Sequence, residues 1–244
     1  RDYYASRGLG DVYKRQAIFA LITNGKFWIY GLAFALYSAA FSLIAQAVPF
    51  YVEYTLKLGS SMTTVMLAVV FGFALIGIII WSNVVKNIGI MNVFRLGFII
   101  MTVGFIPLFF AKKMFFAAAV MSVMGIGVAG ILVTLDCISA KIIDDDYERH
   151  GVKREGMLTS LIGVMGRLSG IYVSLGYKVI GSAFGFENGL NPGTNPDMAS
   201  RFLLCVFPFI ALAVSTVFTL FLHFKDEDKD WFVLKKKKEK NANG

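Results

Sequence analysis

Six long apolar stretches, separated by short polar connectors, dominate the pattern of this chain. They cover residues 27–51, 62–81, 93–111, 114–136, 157–180 and 200–223. Each is about as long as the roughly 20 residues that an α-helix needs to cross the hydrocarbon core of a bilayer. The pattern therefore predicts an all-α membrane protein with six transmembrane helices. The short connectors predict that successive helices are antiparallel neighbours.

The composition supports this interpretation and argues against a separate soluble domain. Hydrophobic residues make up 57% of the chain and charged residues 16%, whereas soluble domains carry about 25% charged residues. We find no phosphate-binding loop, no dinucleotide fingerprint after a strand, and no nucleophile with a nearby base. Cys137 and Cys205 show neither disulfide nor metal-site spacing. We therefore expect a protein that is not an enzyme and holds no metal or other cofactor.

The basic residues predict the orientation in the membrane. The net charge is +8, and four consecutive lysines, 235–238, follow the last apolar stretch. Attraction to anionic lipid explains this excess more simply than nucleic-acid binding. Lysines and arginines near span ends stay in the cytoplasm, and most of them fall on one side of the six spans. We expect a multi-pass protein of the cell membrane with both termini cytoplasmic and the loop around 181–199 outside.

The chain divides into three parts. Residues 1–16 are polar, lack the apolar core of a signal peptide, and contain the string SRGLGDVYKRQ, which resembles translated sequencing adapter. We interpret 1–16 as a non-native segment, 17–224 as a six-helix transmembrane bundle, and 225–244 as a basic cytoplasmic tail.

Arg167 is the most informative polar residue within a span. It lies about ten residues into the fifth apolar stretch, where a bare guanidinium costs at least about 2.5–3.5 kcal/mol. Small residues at helical spacing share its face, namely Ser160, Gly163, Gly170 and Ser174. That face is expected to line a cavity or a helix interface. Arg167 then either contacts a substrate or forms a structural ion pair or carbonyl contacts.

The first span carries a second set of polar positions. Ser38, Ser42 and Gln46 recur at helical spacing, and Tyr30 and Tyr37 lie one heptad apart on an adjoining face. This stripe either lines a substrate pathway or hydrogen-bonds neighbouring helices. Asp136, at the end of the fourth span, is interpreted as a gate residue or as a helix-end partner.

The segment between the fourth and fifth spans resembles a known family. It reads GIGVAGILVTLDCISAKIIDDDYERHGVKREGM from Gly125 to Met157. This is similar to the region around the loop between helices ten and eleven in the glycoside-pentoside-hexuronide cation symporters, the melibiose permease branch of the major facilitator superfamily. The matching positions are the acidic pair Asp144 and Asp146, then Gly151, and the ending Lys153, Arg154, Glu155 and Gly156. The chain departs from the family pattern at Leu135, where a proline is frequent, and at Lys141, where an aspartate is frequent.

The resemblance implies an architecture and a function. The six spans would be helices seven to twelve of a transporter whose N-terminal six-helix bundle is missing from this chain. Arg167 falls where family members frequently carry a lysine tied to sugar and cation coupling. The resemblance implies cation-coupled symport of a sugar, glycoside or hexuronide by alternating access, with Na⁺ or H⁺ bound mainly by the missing half. Arg167, Tyr30, Tyr37, Ser38 and Gln46 would then contact the substrate.

Two alternatives to sugar symport remain at this stage. The first is a carrier of lysolipid or another amphiphile from the same superfamily, and the second is a non-transporting membrane scaffold or receptor half. The charged segment is likewise open to two interpretations. It either gates the cytoplasmic side, by pairing differently as two bundles open and close, or is a solvated run of charges. The gating residues under the first interpretation are Asp136, Asp144, Asp146, Lys153, Arg154 and Glu155.

Overall fold

The computed structural model describes residues 24–151, 155–187, 191, 193–224 and 230. Within these residues the chain forms six long helices, each long and apolar enough to cross a membrane. The predicted all-α fold with six spans is therefore confirmed. The helices are α1 Gly25–Thr55, α2 Ser61–Ile88, α3 Ile90–Phe110, α4 Met114–His150, α5 Glu155–Phe184 and α6 Pro196–Phe221.

Helix α4 is longer than its apolar stretch indicated. The charged segment was predicted to be a loop after residue 136, but it stays helical to His150. Ile138, Ile142 and Asp146 continue the buried side of the helix at a spacing of four, while most of the charged residues occupy the other sides. The helix ends at Gly151, whose φ of 68° is the left-handed conformation typical of a helix C-terminus. The average hydropathy of this segment is low because charged residues surround its one buried stripe, so the apolar pattern does not reveal the extension.

Four helices build the centre of the bundle and two flank it. Helix α1 packs on α6 and α5, α4 packs on α3 and α2, and α3 joins these two groups by packing on α6. The outer helices are α2 and α5. In their most apolar stretches only 17% and 22% of the residues are buried, whereas 44–50% are buried in the corresponding stretches of the other four helices. The outer helices therefore leave most of their surface uncovered. The end of the bundle at which α1 begins and α6 ends is called the tail end below.

Glycines let the backbones of α2, α3 and α4 touch. A Cβ atom added to Gly125 of α4 would lie 2.5 Å from the carbonyl oxygen of Val70 in α2, and one added to Gly97 of α3 would lie 2.9 Å from the carbonyl oxygen of Gly127. Small residues are common where membrane helices approach this closely. Since the opposing atoms belong to backbone, a larger residue would have to push the helices apart.

This contact gives a first prediction. Gly125→Ala should lower the free energy of unfolding in mixed micelles by about 1–3 kcal/mol, the usual cost of overpacking. Gly72→Ala is the matched control, because a Cβ there meets nothing within 4 Å and alanine favours the helix. If the two variants unfolded alike, the close α2–α4 contact would be wrong.

Helices α1 and α6 each contain one π-helical turn at the end opposite the tail end, over Tyr51–Thr55 and Phe202–Val206. The Thr55 hydroxyl lies 2.8 Å from the Ser200 hydroxyl. The Tyr51 hydroxyl donates to the carbonyl oxygens of Leu108 and Ala111 at the end of α3. These bonds fix α1 against α3 and α6, and so set which side of α1 remains exposed.

Candidate functional site

Arg167 lies exposed near the middle of α5, a helix of 30 residues. Its guanidinium makes no hydrogen bond or ion pair with any residue that the structure describes. The small residues predicted to share its face are exposed with it, namely Ser160, Gly163, Gly170 and Ser174. A Cβ atom at Gly163 or Gly170 would meet nothing within 4 Å. The structure therefore places Arg167 on an open face and not in an interface with a described helix.

The α5 helix is interrupted beside this arginine. One α-helical segment ends at Arg167 and the next begins at Ser169. The Leu168 N–H donates to Met165 O at 3.1 Å, and the Ile171 N–H donates to Leu168 O at the same distance. Each of these hydrogen bonds joins residues three apart, as in a 3₁₀-helix, whereas the bonds of an α-helix join residues four apart. Irregular backbone within a span is tolerated where it lines a cavity or is covered by protein, and broken helices often mark transporter binding sites.

The predicted stripe of α1 divides between two environments. Ser38 is half-buried and Gln46 is exposed, with its amide donating to Ser42 O of the same helix. Tyr30 is buried and its hydroxyl donates to Leu135 O of α4 at 3.2 Å. Tyr37 is also buried, with its ring edge-on to Phe98 of α3. The two tyrosines thus pack inside this bundle, whereas the serine and the glutamine border its open side.

The structure brings Arg167 to one end of this stripe. A Cβ at Gly166 would lie 2.9 Å from the ring of Phe34, which stacks on Tyr30. Arg167 is therefore level with the turn of α1 that separates Tyr30 from Ser38. Gln46 is twelve residues beyond Phe34, or about 18 Å along the helix. A molecule that touches both Arg167 and Gln46 would have to extend along α1.

The predicted gating residues occupy α4 and the start of α5. Asp136 is exposed. Asp144 and Glu155 are exposed, and Asp146 is buried. Lys153 and Arg154 lie outside the described residues, as do residues 1–16. The gating role of this set stays a prediction.

Asp145, which was not singled out from the sequence, makes two ion pairs. Its carboxylate lies 2.6 Å from Lys26 Nζ at the start of α1 and 3.0 Å from Arg149 one turn further along α4. Lys26 Nζ also lies 5.0 Å from the centre of the Phe224 ring, just after α6. The four-residue spacing of Asp145 and Arg149 is a visible sequence signal. The contact with Lys26 depends on the tertiary fold and has no such signal.

Another ion pair at the tail end joins α3 to a residue beyond the end of α6. Arg95 Nη1 lies 2.7 Å from Asp230 Oδ1, and Nη2 lies 3.2 Å from Oδ2. The same guanidinium donates to the carbonyl oxygens of Leu222 and Thr219 at the end of α6. Both charged side chains are almost fully buried, with 4% and 0% of their area exposed. Arg95 is one of the basic residues whose distribution predicted the orientation, and residue 230 falls in the part of the chain that was predicted to be a cytoplasmic tail.

A comparison of neighbouring acids gives a second prediction. Asp145→Asn should lower the free energy of unfolding by under about 1 kcal/mol, since the pair with Lys26 is one-fifth exposed and partly screened. The loss should shrink further at high salt. Asp144 is the exposed neighbour of Asp145, and Asp144→Asn should leave the free energy of unfolding unchanged within error in the same denaturation assay. An equal loss in both variants, unaffected by salt, would contradict the assigned pairs.

The two sides of the bundle differ in character. Residues with large exposure on α3 and α6 are all apolar, namely Ile99, Val103, Ile106, Phe110, Ile210, Val214, Val217 and Phe221. The exposed side of α1, α4 and α5 also carries apolar residues such as Phe41 and Ile171, but it has Gln46, Asp136 and Arg167 among them. We call this side the polar face. Since charged groups in a membrane avoid lipid, the α3–α6 side suits the bilayer and the polar face suits water or another protein surface.

The comparisons with known proteins agree with this architecture. A search among curated proteins found no match. The profile of the family described as MFS/sugar transport protein matches residues 4–226, most of the chain. The chain therefore belongs to this family and is a multi-pass membrane transporter of the major facilitator superfamily.

Proposed function

We propose that this chain is the C-terminal six-helix half of a symporter that carries a sugar, glycoside or hexuronide together with a cation. The observation that carries the proposal is Arg167, which is exposed within a span, makes no contact with a described partner, and lies at a helix interruption. Its planar fork of donors suits hydroxyl and carboxylate oxygens. In lipid the same group would be costly, so water or a substrate is its expected environment.

The bundle leaves room for a second one of the same kind. Helices α2 and α5 are the least buried of the six, and α5 contributes Arg167 to the polar face. A preceding N-terminal bundle that packs against them would enclose the polar face near the bilayer midplane. Rocking of one bundle against the other would then expose a bound substrate to each side in turn. We assign the coupling Na⁺ or H⁺ mainly to that second bundle.

The tail end is proposed to be cytoplasmic, in the cell membrane. Lys26, Arg95, Lys141 and Arg149 lie there, which follows the positive-inside rule. The charged part of α4 and the segment after α6 would then form the cytoplasmic rim of the pathway. In this position Asp136, Asp144, Asp146, Lys153, Arg154 and Glu155, together with Asp145, are proposed to gate access. We propose no enzymatic role.

An amphiphile carrier is the second candidate. It is favoured by one observation, an apolar pocket beside the polar face, which is described in the next subsection. A scaffold or receptor half would instead be expected to pair Arg167 within its own bundle, and the described residues supply no such pair.

The test is transport by the complete gene, recovered with the part that encodes the proposed first bundle. A Na⁺ or H⁺ gradient is imposed across the membrane of vesicles that contain the purified protein. Labelled glucosides, galactosides, xylosides and glucuronides are then added outside. We expect concentrative uptake of at least one class, lost when the gradient is collapsed. If none of these sugars enters while labelled lysolipid is translocated, the amphiphile carrier is correct and the sugar symporter is not.

A further inference from the structure

We infer that an apolar pocket beside the polar face holds an apolar group of the transported molecule, such as a phenyl ring or a short alkyl chain. The inference rests on the proposed transport function and adds a substrate class to it. The preferred substrate would be a glycoside with an apolar substituent, and not an unsubstituted sugar.

The pocket lies among α1, α2, α3 and α4, with Leu204 of α6 also in its wall, and has a volume of about 180 Å³. Its inner wall is built from buried methionine, phenylalanine and leucine side chains, among them Met66, Met101, Met121, Met124, Phe105 and Leu108. All the side chains that line it are apolar. Methionine is flexible and polarisable, so this wall can adapt its shape to a ligand.

The exposed residues that line the pocket lie on α1, α2 and α4, so its mouth borders the polar face. Phe41 and Ala45 of α1, Phe71 of α2 and Leu132 of α4 line the pocket and are at least partly exposed. Gln46 is the next residue after Ala45, and Asp136 follows Leu132 by one helical turn. An exposed carboxylate and an exposed amide at the rim are costly against lipid. The pocket therefore opens toward the proposed substrate pathway and not toward bilayer hydrocarbon.

The size and chemistry of the pocket select its occupant. An apolar protein cavity of about 150 Å³ stays dry and binds benzene, so a cavity slightly larger suits a phenyl ring or a short alkyl group. A sugar ring would lose the hydrogen bonds of its hydroxyls here without replacement. The sugar is thus left at the polar face, where Ser38 and Gln46 offer hydrogen-bonding groups, while the apolar substituent turns into the pocket.

The first test compares matched pairs of inhibitors in the uptake assay with the complete protein. The probes are the phenyl and the methyl β-glycosides of glucose, galactose, xylose and glucuronic acid. For any sugar that is recognised, we expect the phenyl form to inhibit uptake at a concentration about tenfold or more below that of the methyl form, because a ring is removed from water.

Ala45→Phe, which fills the mouth, should reduce this advantage to about twofold or less and leave inhibition by the methyl form unchanged, since a filled cavity gives the ring no surface to bury. Ala119→Phe, a like change at an exposed position of α4 that does not line the pocket, should keep the full advantage.

A second measurement does not depend on transport or on the variants. The methionine methyl signals of the same protein in nanodiscs are followed by NMR during titration with benzene. Met66, Met101, Met121 and Met124 should shift, whereas Met91, buried but away from the pocket, should not. Absence of the selective shifts would overturn the inference, because the pocket would not accept an aromatic ring.

The outcomes separate the inference from the proposed function. Equal inhibition by phenyl and methyl glycosides, with uptake intact, overturns the inference and leaves sugar symport standing. Loss of methyl-glycoside inhibition in Ala45→Phe also overturns it, because the mouth would then bind the sugar itself. If no sugar is taken up, both proposals fall, and the benzene titration shows only what the empty pocket can bind.

Discussion

Asp230→Ala is expected to lower the free energy of unfolding by about 3–5 kcal/mol, the usual cost of leaving one buried charge without its partner. Arg95 would keep a buried guanidinium that had lost a two-pronged carboxylate at 2.7 and 3.2 Å. The measurement is the unfolding midpoint in mixed micelles, converted to a free energy. The loss should be as large in high salt, because a buried pair is screened little.

Two controls separate the ion pair from a general effect of charge removal. Asp197→Ala breaks the ion pair between Asp197 and Arg201. The Asp197 side chain is 43% exposed, so this variant should lower the free energy of unfolding far less. The double variant Arg95→Met and Asp230→Met removes both charges at once and should recover much of the loss, since apolar replacements of buried pairs are often neutral. If Asp230→Ala were no worse than Asp197→Ala, residue 230 would not be docked on α3.

Arg167→Ala is expected to reduce the rate of uptake at low substrate concentration by about tenfold to a hundredfold. A hydrogen bond to a charged group contributes about 1.5–3 kcal/mol, and each 1.4 kcal/mol corresponds to about tenfold. Arg167→Lys should fall between the alanine variant and the native protein, because it keeps the charge but loses the planar fork. Uptake is measured in vesicles with equal amounts of inserted protein.

The matched control is Lys178→Ala, which removes a positive charge from an exposed position of the same helix. It should leave uptake within about twofold, since no role in the pathway is assigned to it and exposed charges contribute little. Full uptake by Arg167→Ala would make Arg167 a structural residue and remove the main support for the proposed site.

The fold follows closely from the sequence because lipid imposes a simple rule on it. Backbone groups in a bilayer must be satisfied within the segment, so an apolar stretch of about 20 residues becomes a helix whatever its neighbours are. What average hydropathy missed is the extension of α4, where Ile138, Ile142 and Asp146 form one buried stripe among charges. A search for helical periodicity in place of average hydropathy would have found it.

The site is predicted less completely. Arg167 was identified because a charge within a span is conspicuous, and the structure shows it exposed on the face of small residues on which it was expected. Nothing in the local sequence distinguishes Tyr37, which packs on Phe98, from Gln46, which is exposed. Which side of α1 is covered is decided by α3, α4 and α6, and such contacts are tertiary.

The same reason explains the residues that were missed. Arg95 and Asp230 are separated by more than half the chain, and Lys26 and Asp145 by nearly as much. The apolar pocket is lined by side chains from several helices, none of which is unusual in a membrane span. Long-range pairs and cavities of this kind depend on how the helices pack, and a single sequence carries little information on that packing.

The most direct test of the central claim is whether water reaches the polar face within the membrane. Single cysteines are placed at Gly163 and Gly170 beside Arg167, and at Val103 and Val217 on the apolar side, in the complete protein with Cys137 and Cys205 replaced by alanine. A charged, membrane-impermeant thiol reagent reacts with thiolates, which form in water and not in lipid. We predict labelling at 163 and 170 and none at 103 and 217; no labelling at 163 and 170, or equal labelling at all four positions, would contradict a water-filled transport pathway along this face.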